Sequence, residues 1–384
     1  MRVDNTLAER VGADQKERKT KPARVVEVDP HSDPRWEAFL AGHPQGSVYQ
    51  HPGWLRVLEL EYGRKTLNLA CEDEAGEICG ILPLLTTRGL PFSAGQLGAR
   101  LSSLPRTPVA GPLAKDTDAL KLLLDAAVEY VRNHPGLRLQ LKLASPELTG
   151  LVEGLLLAPW RMSYVLSLPD CPEKLRFGDS RSHGRIKWEV RAAAKRGIVV
   201  RTAEAESDLR DWYPLYLETM RWHAVPAHPY RFFRSLWELL RPAGLMRLLV
   251  AELHSPASRR IVAGSIFLSF GRTMFHAFNG VHRQDFTLRP NDVIHWHAIH
   301  QACTEGFRFL DLGEVRGLQS GLAEFKSKWG AKPIPLYRAF YPALRNPQAG
   351  ANGTSLSYRL AAKAWRFVPL GATAAVGDLV NSFL

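Results

Sequence analysis

Toward the C-terminus two acids and two lysines stand close together: Asp311 and Glu314 in "FRFLDLGEV", then Lys326 and Lys328 in "GLAEFKSKWG". Residues 307–312, with Phe307, Phe309, Leu310 and Leu312, read as an apolar strand ending on Gly313, and α/β folds build sites at strand ends. A carboxylate there can orient an amine or accept its proton, whereas Asp311 reads equally as a helix cap. Lys326, in a water-poor cleft, would hold a phosphate or a developing oxyanion; on a surface it would simply snorkel. Phe325 suits stacking on a nucleobase, or a place in the core. Lys328 shares a side with Lys326 only if the segment is extended.

Cations recur elsewhere. In "DSRSHGRIKWEVRAAAKRG" Lys187, Arg191 and Lys195 fall at i, i+4, i+8 on one face of a helix that Gly197 closes. Like charges at that spacing repel, which favours an anion lying against them over a solvated face. "LETMRWHAVP" offers Glu218, Arg221 and His223, either a helix-end ion pair or a forked guanidinium for phosphate or carboxylate. His295, His297 and His300 do not fall at i, i+4, so packing histidines are expected rather than a metal site.

These groups need a frame, and the chain supplies it twice. Residues 67–85 and 246–270 each read as strand, polar turn, and a second strand entered through a glycine, Gly80 and Gly264. Each is followed by a helix feeding another strand. Leu120, Leu123, Leu124, Ala127 and Val131 mark the first helix, and the second has Asn291 as its expected cap and Gly306 as its stop. The fold class is therefore α/β, an α+β sandwich type with two tandem domains of mixed sheet flanked by helices. The expected divisions are a leader at 1–23, domains at 24–168 and 169–342, and a linker and amphipathic tail at 343–384.

A net charge of +12 over 384 residues points to an anionic partner: nucleic acid, acidic membrane or phosphorylated substrate. Four scattered cysteines suit reduced thiols in the cytoplasm. The first residues are polar and charged, without the apolar core of a signal peptide, and no run is long enough to span a bilayer.

The runs "IKWEVRAAAKRG", "WYPLYLETMRWHAVPAHPYRFFRSLWELL" and "EGFRFLDLGEV…GLAEFKSKWGAKP" resemble the FemABX-like branch of the GNAT acyltransferase superfamily. The resemblance spans most of residues 45–342, with "SVYQHPGWLRVL" carrying it in the first half. It implies two tandem GNAT-like domains and acyl transfer to an amine of a peptidoglycan, exopolysaccharide or other envelope precursor. It also implies that Lys326 lies beside the donor ester and contributes to transfer, and that the segment of Glu218, Arg221 and His223 meets the acceptor.

No bound cofactor is expected; the co-substrate is aminoacyl-tRNA or acyl-CoA. In coenzyme-A-dependent GNAT enzymes a glycine-containing loop cradles the pyrophosphate with backbone N–H groups. The matching segment, "VHRQDFTLRPND", has no glycine and offers Arg283 and Arg289, which favours an RNA-borne or otherwise phosphorylated donor. Two alternatives stay open: an acyl-CoA N-acetyltransferase of the same fold, and a non-catalytic scaffold for RNA or another polyanion. The tail offers Leu356, Leu360, Lys363 and Phe367 near helical spacing, with Tyr358, Arg359, Trp365 and Arg366 among them. It reads as a peripheral membrane contact near a lipid-linked acceptor, broken at Pro369 and Gly371, or as a helix packed back on a domain.

Overall fold

The computed structural model describes residues 23–89, 98–256, 258–315, 320–344, 363, 365–381 and 383. The leader up to residue 22, and Leu356, Tyr358, Arg359 and Leu360 of the tail, lie outside the described residues. The first half runs β1 (Arg24–Glu27), α1 (Pro34–Gly42), α2 (Pro52–Tyr62), β2 (Leu67–Glu72), β3 (Ile78–Thr87), β4 (Arg100–Ser102), β5 (Leu113–Ala114), α3 (Thr117–Arg132), β6 (Arg138–Leu143) and β7 (Leu156–Ser167). The second runs α4 (Ser180–Lys195), β8 (Ile198–Thr202), α5 (Glu206–His223), α6 (Tyr230–Leu239), β9 (Met246–His254), β10 (Arg259–Phe270), β11 (Thr273–Val281), α7 (Pro290–Thr304), β12 (Phe309–Val315), α8 (Ser320–Lys328), β13 (Lys332–Tyr341) and α9 (Leu370–Asn381).

Both expected hairpins form, β2–β3 and β9–β10, antiparallel as the polar turns require. Gly264 is needed where it stands: a Cβ there would meet the Trp212 ring at 2.6 Å, and that indole donates to the Gly264 carbonyl at 2.8 Å. Helix α3 starts on Asp116, whose carboxylate accepts from Ala119 N–H, and buries Leu123, Leu124, Ala127 and Val131 against β2, β3 and β6.

The strands join in one order, β1-β2-β3-β4-β6-β13-β7-β12-β11-β10-β9-β8, with β5 on β3. Two neighbours are parallel, β4 with β6 and β11 with β12, each for three residue pairs before the strands part. The first core draws on both halves: Trp36, Trp54 and Leu55 pack with Trp212, Tyr216, Phe232 and Phe233. Burying side chains of this size stabilises by about 2 kcal/mol each, so the two halves hold together through a common interior.

Three expectations are corrected. The strand through Asp311 does not stop at Gly313 but runs on to Val315, because a bulge takes up Gly313 at φ 81° and the register on β7 slips between Asp311 and Glu314. Helix α7 opens on Arg289 at φ 60° followed by Pro290, so Asn291 lies inside the first turn and is not the cap. In the tail, Gly371 lies within α9, which starts just after Pro369, so it does not break the segment. Helix α9 packs back on the second half: Leu370 and Ala374 lean on the first core, and Asp378 pairs with Arg231. Gly377 lies so close to Ala227 that a side chain there would collide with its backbone.

Candidate active site

The parting of β11 from β12 opens a cleft of about 2240 Å³. One lip is β11 with Phe275, His276, Phe278 and Asn279; the other is the bulged end of β12 with Asp311, Gly313 and Glu314. The first half closes the far side with Ser47, Tyr49 and Gln50 from the segment before α2.

At the bulge the groups interlock. Asp311 Oδ1 accepts from Ser163 Oγ at 2.6 Å and from Gly313 N–H at 2.7 Å. Lys326 Nζ donates to the carbonyls of Gly313 at 2.8 Å and Glu314 at 3.3 Å. Glu314 pairs with Arg161 across the sheet. Burial raises the Asp311 carboxyl above the ordinary carboxylate range, against the pull of its two donors and Lys326. Burial also brings the Lys326 ammonium down to about 8, although Asp311 and Glu314 pull the other way. A carboxyl and an amine drawn toward neutrality from opposite sides suit proton transfer near neutral pH.

A histidine completes the wall. Ser265 Oγ donates to Asn279 Oδ1 at 2.9 Å, so its 3.2 Å contact with His276 must be accepted from Nε2–H. That tautomer leaves Nδ1 as an acceptor, and burial holds the ring neutral. His295 stands against it, centroids 4.8 Å apart, and donates Nδ1–H to the Asn291 carbonyl at 2.7 Å. Phe325 meets His295 edge-on at 5.2 Å, so its ring leans on a second core, built around Phe177, Ile294 and Trp329, while lining the cleft.

The two lysines do not share a target. Because residues 320–328 are helical rather than extended, Lys326 and Lys328 leave α8 in different directions. Lys328 binds Glu189 at 3.2 Å and Asp292 at 2.5 Å, clamping α8 to α4 and α7; Asp292 borders the cleft, and Lys328 itself does not line it. Arg289 joins that clamp at 3.6 Å from Glu189, and its residue also borders the cleft. Lys326 itself is buried, which removes the surface reading of it.

Glu218 accepts from Arg283 N–H and pairs with His282 at 3.1 Å, bracing the segment after β11. Arg221 donates to the Val368 carbonyl at 3.1 Å, so it ties down the tail while lining the cleft. Arg283 lies over the Trp222 indole. Lys187, Arg191 and Lys195 are exposed together on α4, outside the cleft lining.

Tyr49, Ser163, Arg161 and His276 join the site without having been singled out from sequence. Tyr49 packs on Phe275, the cross-strand partner of Asp311, and burial, with the charges of Asp311 and Glu314, keeps its phenol protonated. Its signal was present in "SVYQHPGW"; the others are single polar residues in apolar strands, which spacing does not distinguish from satisfied core groups.

Residues 180–327 match a family described as Acetyltransferase (GNAT) domain. A Weissella viridescens UDP-N-acetylmuramoylpentapeptide-lysine N(6)-alanyltransferase is 22% identical over 270 residues, covering 66% of this chain and 75% of that protein. The crystal structure of FemX superposes with a TM-score of 0.63 at 16% identity, over 84% of this chain and 98% of that one. The structure of L-PGS from Bacillus licheniformis gives 0.54 at 12% identity, over 88% and 98%. At these identities the two structures speak for the fold.

Proposed function

We propose, from the match of residues 180–327 to a GNAT acetyltransferase domain and the likeness of the chain to a UDP-N-acetylmuramoylpentapeptide-lysine alanyltransferase, that this chain transfers an aminoacyl group from a charged tRNA to an amine of a peptidoglycan precursor. The observation that carries the reading is the trio at the bulge: Asp311 with its raised carboxyl, Ser163 orienting it, and the desolvated Lys326 beside it. The acceptor amine attacks the carbonyl carbon of the donor ester, forming the C–N bond. Asp311 takes the proton the amine releases. Lys326, with an N–H beyond those given to Gly313 and Glu314, faces the oxyanion. The C–O bond then breaks, and the departing ribose hydroxyl receives the proton from Asp311. The named activity of the Weissella relative supports the choice of acceptor.

The segment before α7 supports an RNA-borne donor over coenzyme A. Pro290 has no N–H, and the N–H groups of Asp292 and Val293 already bond to the Arg289 carbonyl. Little is left at that helix start to cradle a pyrophosphate. The test is incubation of the protein with tRNA charged with a labelled amino acid and UDP-N-acetylmuramoyl pentapeptide, followed by mass spectrometry. The expected product carries the amino acid on an amine of the peptide. Thiol release from acetyl-CoA without tRNA, or no transfer under either condition, overturns the reading.

A further inference from the structure

One end of the cleft is built unlike the rest. Arg283 Cζ lies 3.2 Å and Arg366 Cζ 4.2 Å from the centre of the Trp222 ring. Arg221 and Lys363 line the same cleft. Among the described residues none of these four side chains has a carboxylate within ion-pair distance, and Glu218 beside them is engaged by His282. Around these cations stand exposed aromatics: Trp222 at 37% exposure, Phe286 at 50% and Phe367 at 87%. All three line the cleft. Arg283 and Phe286 share one side of a 3₁₀ turn, where residues i and i+3 eclipse. Arg366 and Phe367 are held in position from their C-terminal side. The adjoining Val368 accepts from Arg221, and α9 is held on α5 and α6.

We propose that this rim is a docking face for an anionic lipid surface, so that the cleft opens toward a membrane. Phe286 and Phe367, which project singly and are flanked by arginine and lysine, match the interfacial layer, where rings enter the acyl boundary and cations meet headgroup phosphate. A nucleic acid suits the rim less well. Two guanidinium groups already cover the indole, leaving it a poor platform for a base. The membrane contact expected of the tail thereby shifts from an amphipathic tail helix to a composite rim, to which α5, the 3₁₀ turn and the tail residues just before α9 each contribute. The inference does not depend on the identity of the donor or acceptor.

The experiment is co-sedimentation of the full chain with vesicles of phosphatidylcholine alone and of phosphatidylcholine with phosphatidylglycerol. Binding is expected only to the second. Phe286→Ser with Phe367→Ser should weaken it about tenfold or more, because the rings leave the interface. Arg283→Gln with Arg366→Gln should weaken it by a comparable factor of about thirty. Thermal melting checks that both variants are folded. No binding by the wild type, or binding by either variant as tight as that of the wild type, overturns the proposal. It is also overturned if only Lys187→Gln, Arg191→Gln and Lys195→Gln together abolish binding, or if the rim variants lose affinity for a single-stranded RNA but not for vesicles. Vesicle binding requires no turnover, so its outcome is independent of the acyl-transfer assay.

Discussion

Lys142 and Lys326 stand where the two halves make the same move. In each half a short parallel pair, β4 with β6 or β11 with β12, holds for three residues and then parts. Two residues beyond the last pair the first half has Lys142 and the second has Gly313. Lys142 sends its side chain across the gap to the carbonyls of Leu104 at 2.5 Å and Thr107 at 3.0 Å, and the gap is sealed. Gly313 has no side chain to send, and its φ of 81° disfavours any other residue. The gap stays open, and a lysine from elsewhere, Lys326, reaches the Gly313 carbonyl from one side of it. The same strand geometry thus makes an interior strut in one half and a site in the other.

The largest effect is expected at Lys142. Lys142→Met takes the donor from two carbonyls in a sealed gap, and should cost about 3 kcal/mol in chemical denaturation. Transfer per folded molecule should be unchanged; a loss of turnover without loss of stability would end the division of roles. Lys326→Met keeps the volume and should lower kcat about a hundredfold with a smaller change in KM, since the contact matters most in the transition state.

Lys326 works as the ammonium, so kcat should fall as pH rises through about 8, and this limb should be missing in Lys326→Met. For folding the sign reverses. The unfolded chain, with an ordinary lysine near 10.5, holds the proton more firmly, so Lys326 lowers stability fully below about 8 and the cost fades as pH rises toward 10.5. The smallest effect is expected on α4. Lys187→Gln, Arg191→Gln and Lys195→Gln together should reduce the slope of log affinity for tRNA against log salt by about 2 and leave melting unchanged.

The architecture was legible because it rests on periodicity. Both hairpins and the amphipathic α3 follow from apolar spacing and turn residues. Lys326, Asp311 and Glu314 were legible as neighbours because a strand and the segment after it carry them. The direction of Lys328 was not, since it depends on α8 being helical, a choice made by packing of Trp329 and Phe325 in the second core. Asp311's partner Ser163 sits on β7 of the first half, and no local pattern foretells which strand becomes β12's neighbour.

The sheet order bears on how the chain comes to be folded at all. Strand β6 pairs with β13, so Leu139 waits for Tyr341 and Leu143 for Tyr337. During synthesis the first half therefore emerges with one side of a central strand unpaired, and the missing partner is among the last strands to arrive. Contacts of such sequence separation form slowly, and an exposed strand edge is a template for other chains. A nascent chain arrested before β13 is expected to need a chaperone at that edge, and release of the full length should close it.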